Sequence, residues 1–302
     1  METDFKTQTD FKIAIIGLGL IGGSMAYRLC GFNGGKVIGY DTNAAICKSA
    51  AERGAVADIA QNVGSAIDGA DLVIIATYPD SVAKIVKQNS DKFKKGAVIT
   101  DICGVKSRIS KEICSAVPNG VFYVGSHPMA GKEVEGFDNA EPTLFDGCGF
   151  IIVPTEKSDD KSIELVSSMA RHLGAARIAV NTPEEHDSII AYTSDLMHIA
   201  ACGLCLDFNE KMNLAYTAGA FRDCTRIALI NPKLWTELFM ENPKQIVNEI
   251  DRYMKSLQSF RDAIDNRDEE KLFSLLKRVR ENKLDILGRV PQKNTEKRSL
   301  IK

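Results

Sequence analysis

Histidine and tryptophan are scarce in this sequence, with four of the first and one of the second. Charge imbalance is lacking too: 38 Lys and Arg stand against 40 Asp and Glu, a formal net charge of −2. Without a basic excess there is no electrostatic footprint for nucleic acid or for an anionic membrane surface, and neither is expected as a partner. The first stretch, METDFKTQTD, is polar, and the first apolar run, Ile13–Ile16, is short and followed by glycines. It reads neither as a secretory signal nor as a membrane span. The eight cysteines are scattered without a disulfide framework, and the Cys202–Cys205 pair has no second CxxC to complete a zinc site. No metal is expected, and reduced thiols point to the cytoplasm. No internal repeat or low-complexity tract interrupts the chain.

What remains is 302 residues of ordinary globular composition, enough for about two domains at ~100–200 residues each. In the first half, short Val- and Ile-rich runs at Phe11–Ile16, Val37–Tyr40, Asp71–Thr77, Ala97–Ile102, Val121–Gly125, Phe150–Val153 and Arg177–Val180 alternate with helical patterns such as Ser81–Gln88, Lys106–Ala116 and Lys161–Leu173. This alternation predicts an α/β fold, a Rossmann-type doubly wound parallel sheet over residues 1–182. From Pro183 glycine thins and no strand pattern survives. Ile246, Ile250, Tyr253, Leu257, Phe260 and Ile264 recur at helical spacing, as do Leu272, Leu275 and Val279, predicting an all-helical domain over 183–302. Its long apolar helices, Glu184–Phe208 above all, carry more apolar surface than one small bundle hides, which points to a homodimer through this domain. The polar, basic end from Gly288 is expected to fray.

The first turn reads GLGLIGGSMA. Gly17, Gly19 and Gly22 fit GxGxxG after a strand and at the start of a helix, with Asp41 at the end of the next strand. The glycines permit the tight turn, the approach of a pyrophosphate and close helix packing, and the helix N-terminus offers free N–H groups. A carboxylate at Asp41 accepts from a ribose 2′-hydroxyl but repels a 2′-phosphate, so NAD is expected over NADP. Leu20 and Ile21 in the turn, and Thr77 and Asp101 at strand ends, are further candidate cofactor contacts. Ligands of such sheets bind beyond the carboxyl ends of the strands. There the fifth long strand runs into GSHPMAG, which places Ser126 and His127 at the cleft. A histidine at that edge can take a proton while a hydride leaves for NAD.

The GLGLIGGS turn, TDICGVK, GSHPMAG with Glu133, the His186-Asp187 pair, Ser194 to His198, and GAFRDCTRIA followed by Trp235 together resemble the prephenate dehydrogenase family, which includes arogenate and cyclohexadienyl dehydrogenases. The resemblance spans nearly the whole chain. It implies oxidative decarboxylation of prephenate: hydride passes from C4 to NAD, the C4 hydroxyl proton goes to a base, carbon dioxide leaves and 4-hydroxyphenylpyruvate forms. It implies that His127 partners the hydroxyl, with Ser126 beside it. Arg226 would bind a substrate carboxylate, and His198, Gly219 and Trp235 would lie at the substrate. Glu133 would join a polar network at the entrance. Two positions depart from the family pattern. Gly104 stands where a serine is usual, and Asp195 where a histidine follows the helix serine. An extra acid at 195 would favour the ammonium of arogenate. Arogenate dehydrogenase therefore stays open as an alternative. A β-hydroxyacid or imine reductase would instead want a lysine in the second domain. A catalytically silent NAD-binding sensor is the reading from another class.

Overall fold

A computed structural model of the chain describes residues 11–207 and 214–289. Eight strands form one sheet in the order β3-β2-β1-β4-β5-β6-β7-β8: β1 Lys12–Ile16, β2 Lys36–Tyr40, β3 Asp58–Ile59, β4 Leu72–Ile75, β5 Val98–Asp101, β6 Phe122–Met129, β7 Gly149–Pro154 and β8 Arg177–Val180. Helices α1 Leu20–Leu29, α2 Ala44–Glu52, α3 Val63–Ile67, α4 Pro79–Gln88, α5 Ser107–Ala116 and α6 Asp160–Leu173 connect or cover them. β1, β4 and β5 are buried along almost their whole length, because helices cover both faces of a parallel sheet. Two large core clusters result, one around Ile13, Ile15, Met25 and Phe150 and the other around Ile16, Val73, Ile99 and Tyr123, with a small third one of Ile151, Val153 and Ile190.

The sheet is parallel from β3 through β6, and β7 and β8 pair parallel to each other, but β6 and β7 run antiparallel. The expected all-parallel sheet is therefore corrected at this one junction. The expected strand end at Gly125 is corrected as well. β6 keeps β5 as a neighbour only at Phe122 and Tyr123, then continues along β7 alone through Met129, with His127 opposite Ile151. Pro128 is tolerated because this stretch has a partner on one side only. The parting of β6 from β5 opens the edge at which ligands of such sheets sit.

After β8 the chain is helical: α7 Pro183–Ile190, a π-helical turn Ala191–Asp195, α8 Leu196–Leu206, α9 Gly219–Thr225, α10 Pro232–Glu241, α11 Pro243–Asp265 and α12 Glu269–Arg289. Thr182 opens α7 as a capping box with Glu185, with Pro183 in the first turn. By length and composition, Pro183–Leu206 is the one segment among the described residues apolar enough to cross a membrane. It also carries His186, Asp187, Asp195 and His198. Phe208, the expected end of this helix, and the basic tail from residue 290 lie outside the described residues. By their contacts, residues through Ile246 form one compact unit and those from Val247 a second. In the second unit Tyr253, Met254, Leu257, Ile264, Phe273, Leu276 and Val279 are all exposed.

Candidate active site

The glycine turn is sterically forced. Gly17 has φ +94°, and a Cβ there would lie 2.3 Å from the Ala76 carbonyl oxygen; one at Gly22 would lie 2.0 Å from the Gly17 oxygen. At Gly19 a Cβ would meet nothing within 4 Å, so the space above the turn is open. The Asp41 carboxylate accepts the Leu18 N–H at 2.8 Å and the Asn43 N–H at 2.9 Å, which fixes it beside the turn. Each of its oxygens keeps acceptor capacity for a ribose hydroxyl. A cradle that side chains would fill, with an anchored acid beside it, fits NAD.

A cavity of about 780 Å³ opens from this turn. Gly19, Leu20, Ile21, Gly22 and Thr77 line one part of it; Gly104, His127, Glu133, Ser194, Asp195, His198 and Trp235 line the rest. All belong to the compact unit ending at Ile246.

His127 Nδ1 lies 3.0 Å from His186 Nε2, and His186 Nδ1 lies 2.8 Å from Asp187 Oδ1. Asp187 in turn accepts the backbone N–H of Lys106 and of Ser107, both at 2.8 Å, at the start of α5. Burial, with His186 and Lys106 adding, holds His127 well below the usual imidazole range. Burial also lowers His186, against the pull of Asp187. For Asp187, burial pushes upward but is outweighed by the hydrogen bonds from His186 and Ser107, so its carboxyl stays below the usual range. At neutral pH both imidazoles are therefore neutral and Asp187 is charged.

In the same lining the Trp235 and His198 rings lie 3.8 Å apart between centroids at a tilt of 34°, and His198 Nδ1 donates to the Ser194 carbonyl at 3.0 Å. The π-helical turn before α8 sets Ser194, Asp195 and His198 toward the cavity; such turns recur at functional sites. Asp195 is 3% exposed and its Oδ2 has no hydrogen-bond partner. Burial, then the charge of Asp187, pushes its carboxyl up to about 7. Arg226, in a turn after α9, pairs with Glu133 at the cavity's edge.

Six expected site residues are absent from the cavity lining, and two of them, Ser126 and Asp101, are buried away from it. Ser126 is adjacent to His127 in a strand, so the pleat turns it to the opposite face. There it is fully buried, donating to the Asp101 carbonyl at 2.8 Å and accepting from Thr100 Oγ1 at 3.0 Å. Asp101 is also fully buried, held by Lys106 Nζ at 2.6 Å, Tyr123 Oη at 2.8 Å and the Cys103 N–H at 2.9 Å. Its carboxylate is saturated by the fold and is out of a cofactor's reach. Gly17, Asp41, Arg226 and Gly219 are not part of the cavity lining, although Gly17 and Asp41 build the adjoining turn.

Residues 26–179 match the nucleotide-binding domain of prephenate dehydrogenase, and residues 182–278 match the prephenate dehydrogenase dimerization domain. The chain belongs to the prephenate dehydrogenase family. A prephenate dehydrogenase of Bacillus subtilis is 29% identical over 276 residues, covering 89% of this chain and 74% of the relative. A cyclohexadienyl dehydrogenase of Zymomonas mobilis is 29% identical over 284 residues, covering 91% and 96%. Among solved structures, prephenate dehydrogenase from A. aeolicus in complex with hydroxyphenyl propionate and NAD+ superimposes with a TM-score of 0.82 at 29% identity, covering 91% of this chain and 98% of that one. Synechocystis arogenate dehydrogenase gives 0.78 at 26% identity, covering 91% and 100%.

Against the family pattern the two departures acquire geometry. A Cβ at Gly104 would lie 3.8 Å from His127 Nε2 and 3.4 Å from Leu238 Cδ2, so the glycine leaves space directly beside the imidazole. Asp195 puts a buried acid into the same cavity. In the sequence the His186–Asp187 pair carries family resemblance but no assigned role at the site. The pair follows directly on the Thr182–Glu185 capping box, in the first turns of a helix that packs on α5.

Proposed function

We propose that this chain is an NAD-dependent dehydrogenase that oxidatively decarboxylates prephenate to 4-hydroxyphenylpyruvate. The observation that carries the reading is one cavity lined by the glycine turn, by His127 and its neighbour Gly104, and by His198 and Trp235. Gly17, Gly19, Leu20, Ile21, Gly22, Asp41 and Thr77 would hold the dinucleotide, which supplies a hydride acceptor when bound. His127, neutral at pH 7, takes the C4 hydroxyl proton as the C4–H bond breaks, and returns it to the oxygen of the phenol product. Loss of carbon dioxide aromatises the ring. The protein's part is to orient the ring and polarise that hydroxyl. Arg226, released from Glu133, offers a planar fork to a substrate carboxylate.

Arogenate is the second reading, favoured by one observation. Asp195 is a buried acid with an unpartnered oxygen at a cavity that also holds Glu133 and Glu135. An ammonium on the substrate side chain would compensate it; a keto group would not. Initial rates of NADH formation with prephenate and with arogenate decide between them. Rates with neither substrate would sink both readings and favour a silent NAD-binding protein. The exposed apolar residues of α11 and α12 support a homodimer, and eight free thiols support a cytoplasmic setting.

A further inference from the structure

We propose that Asp187 and His186 are positioning residues that fix the tautomer of His127, keeping its proton on Nδ1 and leaving Nε2 as a lone pair directed into the cavity. The relevance of this to turnover rests on the dehydrogenase reading above; the tautomer itself does not.

The Asp187 oxygens accept the Lys106 and Ser107 N–H groups at the N-terminus of α5, where partial positive charge favours a carboxylate. A carboxylate only accepts, so His186 Nδ1, 2.8 Å away, carries the proton. The ring is neutral, so its Nε2 is a lone pair. The atom facing that lone pair at 3.0 Å is His127 Nδ1, which must therefore donate. His127 is neutral too, which leaves Nε2 without a proton. This nitrogen lies next to Gly104, a cavity residue. The opposite tautomer would point an N–H at the substrate hydroxyl and could not take its proton.

His186 and Asp187 are 0% and 2% exposed, so water does not compete for these bonds. The Asn242 side chain further ties down the Asp187 carbonyl at 2.8 Å. When His127 gains a proton at Nε2, the same Nδ1–H bond persists, and the Asp187 charge lies one ring away.

The test is the ring-nitrogen NMR spectrum of the full chain, selectively labelled with ¹⁵N-histidine. With only four histidines, His127→Asn and His186→Gln suffice to assign the two rings. At pH 7.5 without substrate, both should show a protonated Nδ1 and a bare Nε2. His127 protonated on Nε2, or an even mixture, would overturn the proposal. In Asp187→Asn the His127 tautomers should mix, and kcat should fall by about 10²–10⁴ with KM little changed. An unmoved tautomer in that variant also overturns it. His186→Gln, whose side-chain carbonyl can still accept the Nδ1–H, should keep at least ~10-fold more kcat than His186→Leu; equal losses would indicate a merely structural role. If Asp187→Asn does not fold, the wild-type spectrum decides alone. Because that spectrum needs no turnover, inactivity on both prephenate and arogenate would defeat the dehydrogenase reading while leaving the tautomer testable.

Discussion

The wall of the cavity that carries His127 and the segment that carries Arg226 are built in different ways. His127 is backed by two buried side chains and the first turn of α5, all joined by hydrogen bonds of 2.8–3.0 Å. Behind the strand, Lys106, Asp101, Tyr123 and Ser126 form a second buried polar group. Residues Gly219–Ala228, by contrast, bury no side chain, and Arg226 is 60% exposed with Glu133 as its ion-pair partner. Phe221 and Leu229 are exposed beside it. On the proposed reading, the difference is that between a base preorganised by the fold and a binding arm that gains further contacts when substrate arrives. Preorganisation is needed where a proton must move along one line. An anion-binding arm can close around its ligand.

If that contrast holds, substitutions on the two sides should fail differently. The largest effect is expected from His127→Asn, which removes the cavity-facing base and should lower kcat by about 10²–10⁴ while the melting temperature stays close to wild type. Next comes Lys106→Met. It strands the buried Asp101 charge and should destabilise the fold by about 3–5 kcal/mol in urea unfolding.

Asp195→Asn follows, with a sign that depends on pH. The Asp195 carboxyl is raised to about 7 in the fold against 3.8 for the free group. Its neutral form is thus favoured by folding, and the resulting stability is present in full below about pH 4 and lost as pH rises through 7. The variant should therefore gain on wild type by up to about 4 kcal/mol at pH 8 and by little at pH 4. If the stability difference stayed constant between these pH values, Asp195 would not be the buried acid described. The same variant should lower kcat/KM for arogenate relative to prephenate; an unchanged ratio would remove Asp195 from specificity.

The smallest effect is expected at Arg226→Lys. A charged hydrogen bond of about 1.5–3 kcal/mol should be weakened, raising KM by roughly tenfold or more with kcat held, as suits a residue that binds rather than reacts.

The readable part of the molecule was the part governed by local pattern. The Val and Ile runs mark seven of the eight strands, and the glycine turn with Asp41 is legible because each glycine answers a steric need within a few residues. β3 was missed because Asp58–Ile59 is too short to form a run. The antiparallel β6–β7 pair was missed because GSHPMAG reads as a turn until a one-sided strand is allowed for. Ser126 and Asp101 were overcalled because sequence adjacency hides the pleat and does not show the Lys106 that occupies Asp101. The His127–His186 contact joins residues 59 apart, so it depends on where α7 packs on α5. No spacing rule carries that information.

The most direct test of the central claim is the stoichiometry of turnover when the wild-type chain, NAD and prephenate are mixed. The account predicts equal amounts of NADH and carbon dioxide, formed at a rate that His127→Asn abolishes in large part. Absence of both products, or turnover undiminished in His127→Asn, would contradict it.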